Sequence, residues 1–116
     1  MTAIRILETT MDVYHLSQFT KGWFVGDFSP TLLATSHVEV GIKTYKAGDV
    51  EAAHHHKIAA ELTAVVSGRV RMGGKILTAG QIIRIEPCVS TTFEALEDSV
   101  TVVVKTPSIV GDKYID

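Results

Sequence analysis

The 116-residue chain has one cysteine, three prolines, no excess of positive charge and no long apolar run. The lone Cys88 excludes an internal disulfide and a cysteine-based zinc knuckle. Lys and Arg number 11 against 13 Asp and Glu. This balance argues against a nucleic-acid-binding protein or a polybasic membrane module, because both need a cationic surface. No apolar run reaches the roughly 18 residues that a membrane span requires.

The beginning of the chain also lacks the pattern of a secretory signal. Residues 1–10 mix Arg5 and Glu8 with apolar side chains, and no charged segment precedes an apolar one. We therefore expect a cytoplasmic protein. The hydrophobic share of 46% and charged share of 21% are typical of a globular domain, and this length favours a single one.

From residue 38 onward the sequence has the two-residue period of β-strands. Apolar or β-branched residues alternate with others through the first such run, at Val38, Val40, Ile42 and Thr44. Gly73-Gly74 predicts a tight hairpin, since both turn positions tolerate positive φ. Seven or eight short strands follow one another up to residue 105. This spacing predicts an all-β fold, an antiparallel sandwich or barrel.

The flanking segments have separate expectations. Residues 1–37 are predicted to be an N-terminal arm or strand region that packs on the barrel or on a dimer partner. Five of the eight aromatic residues lie within residues 14–28, which fits either kind of packing. Residues 38–105 form the predicted barrel, and residues 106–116 a C-terminal tail.

Three consecutive histidines carry the clearest chemical pattern. On a strand, His54 and His56 point to one face and His55 to the other. Glu61 opens the next predicted strand and can bring a carboxylate to the same place. Two imidazoles and one carboxylate suit a divalent transition metal and leave positions open for water or substrate. The alternative is a surface histidine cluster without a role.

This stretch resembles the first motif of the cupin superfamily. The motif has glycine, five residues, His, one residue, His, four residues, Glu, six residues and glycine. It is matched here by Gly48, His54, His56, Glu61 and Gly68. The resemblance covers about residues 38–105. It implies a jelly-roll (double-stranded β-helix) barrel that holds Fe, Mn, Ni or Zn at its mouth through the two histidines and the glutamate.

The second cupin motif is degenerate. Gly80 fits its opening glycine, but Thr91 stands where the fourth ligand, a histidine, would be. Three outcomes stay open: a working three-ligand site, a ligand pocket with weak metal binding, or a site that has lost its metal. His37 is the one other donor near the predicted strands, and we favour a surface position for it.

Further residues are candidates for the pocket, namely Thr91, Arg84 and Tyr45. Arg84 shares the strand phase of Ile82, so it faces either solvent or an anionic ligand. Tyr45 lines the pocket or lies outside it. We expect Glu51 to face solvent and Cys88 to be a turn residue.

The resemblance implies a metal-dependent enzyme of the sugar isomerase or epimerase kind, or of the oxygenase kind, although no catalytic residue stands out. The alternative is a non-catalytic cupin that binds a small ligand or serves an assembly, with weak or no metal. The expected partner is a small-molecule ligand or substrate, with no nucleic acid and no membrane. Because small cupins commonly pair, a homodimer is also expected.

Overall fold

The computed structural model describes residues 10–116, which form two facing β-sheets preceded by two short 3-10 helices, Leu16–Gln18 and Thr20–Gly22. The strands are β1 (Trp23–Gly26), β2 (Leu33–Ala34), β3 (Glu39–Tyr45), β4 (Val50–His55), β5 (Ala60–Ser67), β6 (Arg69–Met72), β7 (Lys75–Thr78), β8 (Ile82–Ile85), β9 (Thr91–Ala95), β10 (Ser99–Thr106) and β11 (Tyr114–Ile115).

The two sheets interleave along the chain. The first has the order β2-β1-β3-β10-β5-β8 and the second β11-β4-β9-β6-β7. All pairings are antiparallel except β1 with β2. Because successive strands pass from one sheet to the other, the apolar faces of both sheets close on a shared interior. The all-β jelly-roll prediction is confirmed.

The strand predictions are close to the structure. Eight strands, β3 to β10, lie where seven or eight were expected. Gly73 and Gly74 have φ of 55° and 78°, the conformation that a two-residue hairpin between β6 and β7 requires.

The segments outside the predicted barrel add strands to it. β1 pairs with β3, and β11 from the predicted tail pairs with β4. The rest of the predicted arm, residues 1–9, lies outside the described residues.

An apolar cluster fills one end of the interior. Its buried members come from five strands: Val65, Val70, Met72, Leu77, Ile85, Phe93 and Ala95. Burying one side chain of this kind stabilises the fold by about 1.5–3 kcal/mol. Met72, Ile85 and Phe93 also line the cavity described below, so the cluster forms part of its wall.

Strand register decides which side chains face this interior. Across β3, β10, β5 and β8, one row of directly opposed residues is Glu39, Lys105, Glu61 and Ile85. Residues opposed across a ladder share a face, so Lys105 and Glu61 project to the same side of the sheet. Because β10 alternates, Val103 and Thr101 share that side as well.

Candidate metal centre

His54, His56 and Glu61 converge at one point of the interior. One ligand atom from each lies within 4.8 Å of the other two. The rings of His54 and His56 are 5.3 Å apart and nearly perpendicular. His54 lies near the end of β4 and His56 directly follows the strand, so their two-residue spacing brings both imidazoles to one side. Glu61 is the second residue of β5. Ligand atoms around one ion lie roughly 3–4 Å apart, because each bond is about 2.1 Å.

His55 lies on the opposite side of β4. Its Nδ1 is 2.6 Å from Asp116 Oδ1, and its ring stacks on Tyr114 at 5.4 Å. Both partners belong to the end of the chain. The middle histidine therefore fastens β11 to β4, and the two flanking histidines are left for the interior.

Hydrogen bonds leave at least one possible metal-ligating atom free on each of the three candidate ligands. His54 Nδ1 lies 3.0 Å from the Ala52 carbonyl, so this nitrogen carries the proton and Nε2 keeps its lone pair. Glu61 Oε2 accepts the Thr63 hydroxyl at 2.7 Å, which leaves Oε1. His56 Nε2 is buried without a hydrogen-bond partner among residues 10–116. An orphaned buried imidazole nitrogen fits a metal ligand, because a bound ion would satisfy it.

The protonation state of His56 suits the same role. Burial, followed by the charges of Lys105 and His54, lowers the pKa of His56 to about 4. The ring is therefore neutral near pH 7, and a neutral imidazole is the form that binds metal. His56 Nδ1 is 3.9 Å from Glu61 Oε1, too far for a hydrogen bond.

The loop between His56 and Glu61 is held by Asp112, a residue that the sequence did not single out. Its carboxylate accepts the backbone N–H groups of Lys57, Ile58 and Ala59 at 2.9–3.3 Å. Asp112 is only 6% exposed. Burial raises the pKa of Asp112, but the three backbone N–H groups outweigh burial and the net pKa is lowered. A fixed carboxylate thus sets the spacing of two candidate ligands.

A cavity of about 460 Å³ surrounds the candidate ligands. Thr91 lies in its wall, directly opposite His54 in the β4–β9 pairing, at the position where the cupin motif has its fourth histidine. Thr91 is buried, but a neutral hydroxyl is a weak ligand for transition metals. A metal held here would keep an additional exchangeable position.

Tyr45 and Glu51 form a polar pair in the same cavity. The Tyr45 hydroxyl donates to Glu51 Oε2 at 3.0 Å, and its ring packs on Phe93 with centroids 4.3 Å apart. Burial, with the neighbouring Glu51 carboxylate, raises the pKa of Tyr45, so the hydroxyl keeps its proton. Tyr45, one of the pocket candidates from the sequence, is among the residues that line this cavity.

Glu51 was expected to face solvent, but a β-bulge places it in the cavity wall. In the β4–β9 pairing, Glu51 opposes Phe93 and His54 opposes Thr91, so three steps on β4 match two on β9. The extra residue shifts the phase of β4 and puts Glu51 on the same side as His54. Strict alternation would have placed them on opposite sides.

The pocket hypothesis for Arg84 is also corrected. Arg84 is exposed, its Nε lies 2.6 Å from Glu86 Oε1, and it is absent from the cavity wall. It does share the phase of Ile82, as expected, but Ile82 is 66% exposed. That phase of β8 faces outward, because Ile83 and Ile85 supply the inward contacts.

Two other candidates lie where they were expected. His37 is exposed and takes no part in the cavity wall. Cys88 is exposed in a turn with φ of 70°, and its backbone N–H donates to the His56 carbonyl at 2.6 Å.

Comparison with known proteins gives likeness in structure alone. No family model and no curated protein matches the chain. A Klebsiella pneumoniae protein with a double-stranded β-helix domain matches with a TM-score of 0.68 and 19% identity over 93% of each chain. An RmlC-like cupin from Shewanella frigidimarina has a TM-score of 0.61 and 19% identity, over 65% of this chain and 70% of its own.

An enzyme is among the similar structures. Bacillus subtilis oxalate decarboxylase, which has Mn(II) centres, matches with a TM-score of 0.57 and 18% identity over 63% of this chain. That match spans 22% of the oxalate decarboxylase chain. Together these likenesses show that the chain has the cupin fold. Within residues 10–116, no helix has the length and apolar character to cross a membrane.

Proposed function

We propose that this small cupin-fold protein is a metal-dependent enzyme acting on a small molecule, with a divalent transition metal held by His54, His56 and Glu61. The convergence of His54, His56 and Glu61 within 4.8 Å, together with a buried His56 ring whose Nε2 has no hydrogen-bond partner among residues 10–116, is the observation that carries the proposal. The donor set admits Fe, Mn, Ni or Zn. The structurally similar oxalate decarboxylase has Mn(II) centres, which supports a metal-binding role for this chain.

The surrounding residues favour proton transfer as the reaction. When bound, the metal would supply Lewis-acid polarisation of a substrate oxygen. Glu51 is a carboxylate in the cavity wall, and Tyr45 donates to one of its oxygens, which orients it. A carboxylate fixed in this way can serve as a general base, with Tyr45 as its positioning partner. Isomerisation or epimerisation needs such a base, so we favour it over oxygenation.

Metal analysis tests the proposal directly. Protein purified without added metal, and then reconstituted separately with Mn, Fe(II), Ni or Zn, is expected to hold about one ion per chain of at least one metal after gel filtration. Elemental analysis by mass spectrometry gives the ratio. If the protein holds less than about a tenth of an ion per chain after reconstitution with each of these metals, the metal-dependent enzyme is refuted and the non-catalytic ligand-binding alternative remains. Stoichiometric metal without turnover of any small acid or sugar would favour a binding module.

We also propose a homodimer, because one sheet has an apolar outer face. Directly opposed outward residues of β3, β10, β5 and β8 form two rows, Val40, Val104, Leu62 and Arg84, then Ile42, Val102, Ala64 and Ile82. Leu62 is 40% exposed and Ile82 66%. A contiguous face of this kind indicates an interaction surface, and two-fold pairing covers it on both copies.

Light scattering checks the homodimer. We expect about twice the 12.6 kDa chain mass for the wild type, and a shift toward the single-chain mass for Ile82→Glu. Ile76→Glu is the matched control, because Ile76 is 49% exposed on β7 of the other sheet. A wild-type mass of one chain would refute the dimer.

The proposed location is the cytoplasm. Cys88 is exposed and unpaired, and a reducing compartment keeps such a thiol free. The balanced net charge of −2 gives no support for nucleic-acid binding, so a small molecule is the partner we propose.

A further inference from the structure

Trp23 lies flat against the inner face of the larger sheet, at the wall of the cavity. It opposes Gly41 in the β1–β3 pairing. A Cβ at position 41 would lie 2.7 Å from the indole ring, so the missing side chain is what lets the ring approach the backbone. The ring is half-buried and lines the same cavity as the candidate metal ligands.

Two lysines flank this indole. Lys105 Nζ lies 4.8 Å from the ring centroid and Lys43 Nζ lies 5.5 Å from it, both within cation–π range. Lys43 Nζ also donates to the Lys21 carbonyl at 2.8 Å. Lys105 directly opposes the candidate ligand Glu61. The ammonium groups therefore stand beside the candidate metal centre on an aromatic surface.

These cations lack carboxylate partners. Four lysines line the cavity, Lys21, Lys43, Lys105 and Lys113. Within residues 10–116, none of them forms an ion pair within 4 Å. Every described arginine, in contrast, pairs with a glutamate, as Arg69 with Glu97, Arg71 with Glu94 and Arg84 with Glu86. Glu39 opposes Lys105 across the ladder without reaching ion-pair distance.

The carboxylates of the cavity wall are engaged elsewhere. Glu51 accepts the Tyr45 hydroxyl, and Glu61 accepts the Thr63 hydroxyl while its other oxygen belongs to the ligand set. The charged side chains that line the cavity are thus four lysines and two carboxylates that already accept hydrogen bonds, and a bound divalent metal would add further positive charge. Burial is the main cause that lowers the pKa of Lys43; the Glu51 carboxylate opposes this shift in part, and the nearby lysines add to it. An anion in the cavity would offset that cost.

The Thr101 hydroxyl is another polar group in the cavity wall that could bind a ligand. Thr101 is 1% exposed, and its hydroxyl has no hydrogen-bond partner among the described residues. It lines the cavity and shares the inward side of β10 with Lys105. A buried hydroxyl without a partner destabilises the fold unless a ligand or water satisfies it.

We propose that the cavity takes a small organic acid, whose carboxylate lies between Lys43 and Lys105 beside Trp23 while a second oxygen of the molecule faces the metal ligands. This inference rests on the proposed function, because it names the substrate class of that same site. A volume of about 460 Å³ admits a molecule of metabolite size. A neutral sugar would leave the unpaired ammonium groups without partners.

Trp23 is the chain's only tryptophan, so its fluorescence reports on this place alone. Iodide is an anionic quencher and acrylamide a neutral one, so their quenching constants separate local charge from access. We expect Lys43→Gln/Lys105→Gln to lower the iodide constant at least about threefold and to change the acrylamide constant less than about twofold. Lys75→Gln, an exposed lysine outside the cavity, should change neither.

A competition arm tests carboxylate recognition. Malonate, at ionic strength matched with chloride, should protect Trp23 of the wild type from iodide, and malonamide should not. Lys105→Arg should keep the protection, which guards against a structural effect of losing Lys105. Melting curves exclude unfolded variants, and the single variants replace the double variant if it fails to fold.

The outcomes separate this inference from the proposed function. Metal content is measured on the same samples. Lysine-dependent iodide quenching and malonate protection in protein that binds no metal would support the acid site and refute the metal enzyme. An unchanged iodide constant in the lysine variants would overturn the acid site, whatever the metal content. Absent malonate protection, or equal protection by malonamide, would overturn it as well.

Discussion

His56→Ala is expected to reduce bound metal from about one ion per chain to less than a tenth, and to weaken metal affinity at least about 100-fold. The substitution removes the buried imidazole whose Nε2 has no other partner. The remaining two groups, His54 and Glu61, cannot hold a transition metal against a mild chelator. Elemental analysis after gel filtration gives the occupancy, and competition with a chelating dye gives the affinity.

His55→Ala is the matched control for that experiment. It removes the same kind of side chain one residue away, but His55 contacts Asp116 and Tyr114 on the other side of β4. We expect full metal occupancy and only a modest loss of stability. Glu61→Gln should behave like His56→Ala, since an amide oxygen is a poor substitute for a carboxylate on these metals. Equal metal loss in all three variants would contradict the proposed ligand set, because His55 is not a member of it.

The candidate ligands could be predicted because their arrangement is local in the chain. His54 lies on β4, His56 directly follows the end of that strand, and Glu61 comes after a short loop. Strand alternation alone brings the two imidazoles to one side. The spacing of Gly48 and Gly68 around them resembles the cupin motif, and this resemblance predicts the fold.

Residues whose position depends on pairing between distant strands could not be predicted. Glu51 reaches the cavity through a bulge that becomes visible only in the register of β4 against β9. Arg84 had the right phase on β8, but phase alone does not tell the inner from the outer side of a sheet. Lys43 and Lys105 meet at Trp23 because β1, β3 and β10 are neighbours in one sheet.

Asp112 is the clearest example of a residue whose contacts are distant along the chain. Its substitution is also expected to have the second of the two largest effects. Its partner Ala59 is 53 residues away along the chain. Asp112→Ala would leave the backbone N–H groups of residues 57–59 without their acceptor; the hydrogen bond from Ala59 is buried and those from Lys57 and Ile58 are partly buried. We expect a loss of about 2–4 kcal/mol in the free energy of unfolding, since each unsatisfied buried group costs about 1–3 kcal/mol and solvent can recover part of it. Urea unfolding monitored by circular dichroism measures the loss.

The loop also joins His56 to Glu61, so the same change should weaken metal binding about 10- to 100-fold in protein that is still folded. Asp98→Ala is the matched control, because the Asp98 carboxylate accepts one exposed backbone N–H, that of Ala47. It should cost less than about 1 kcal/mol and leave metal affinity unchanged. If Asp112→Ala destabilised the protein without affecting metal affinity, Asp112 would support the fold but would not position the ligands. If both variants had equal effects, the buried N–H contacts of Asp112 would carry no special weight.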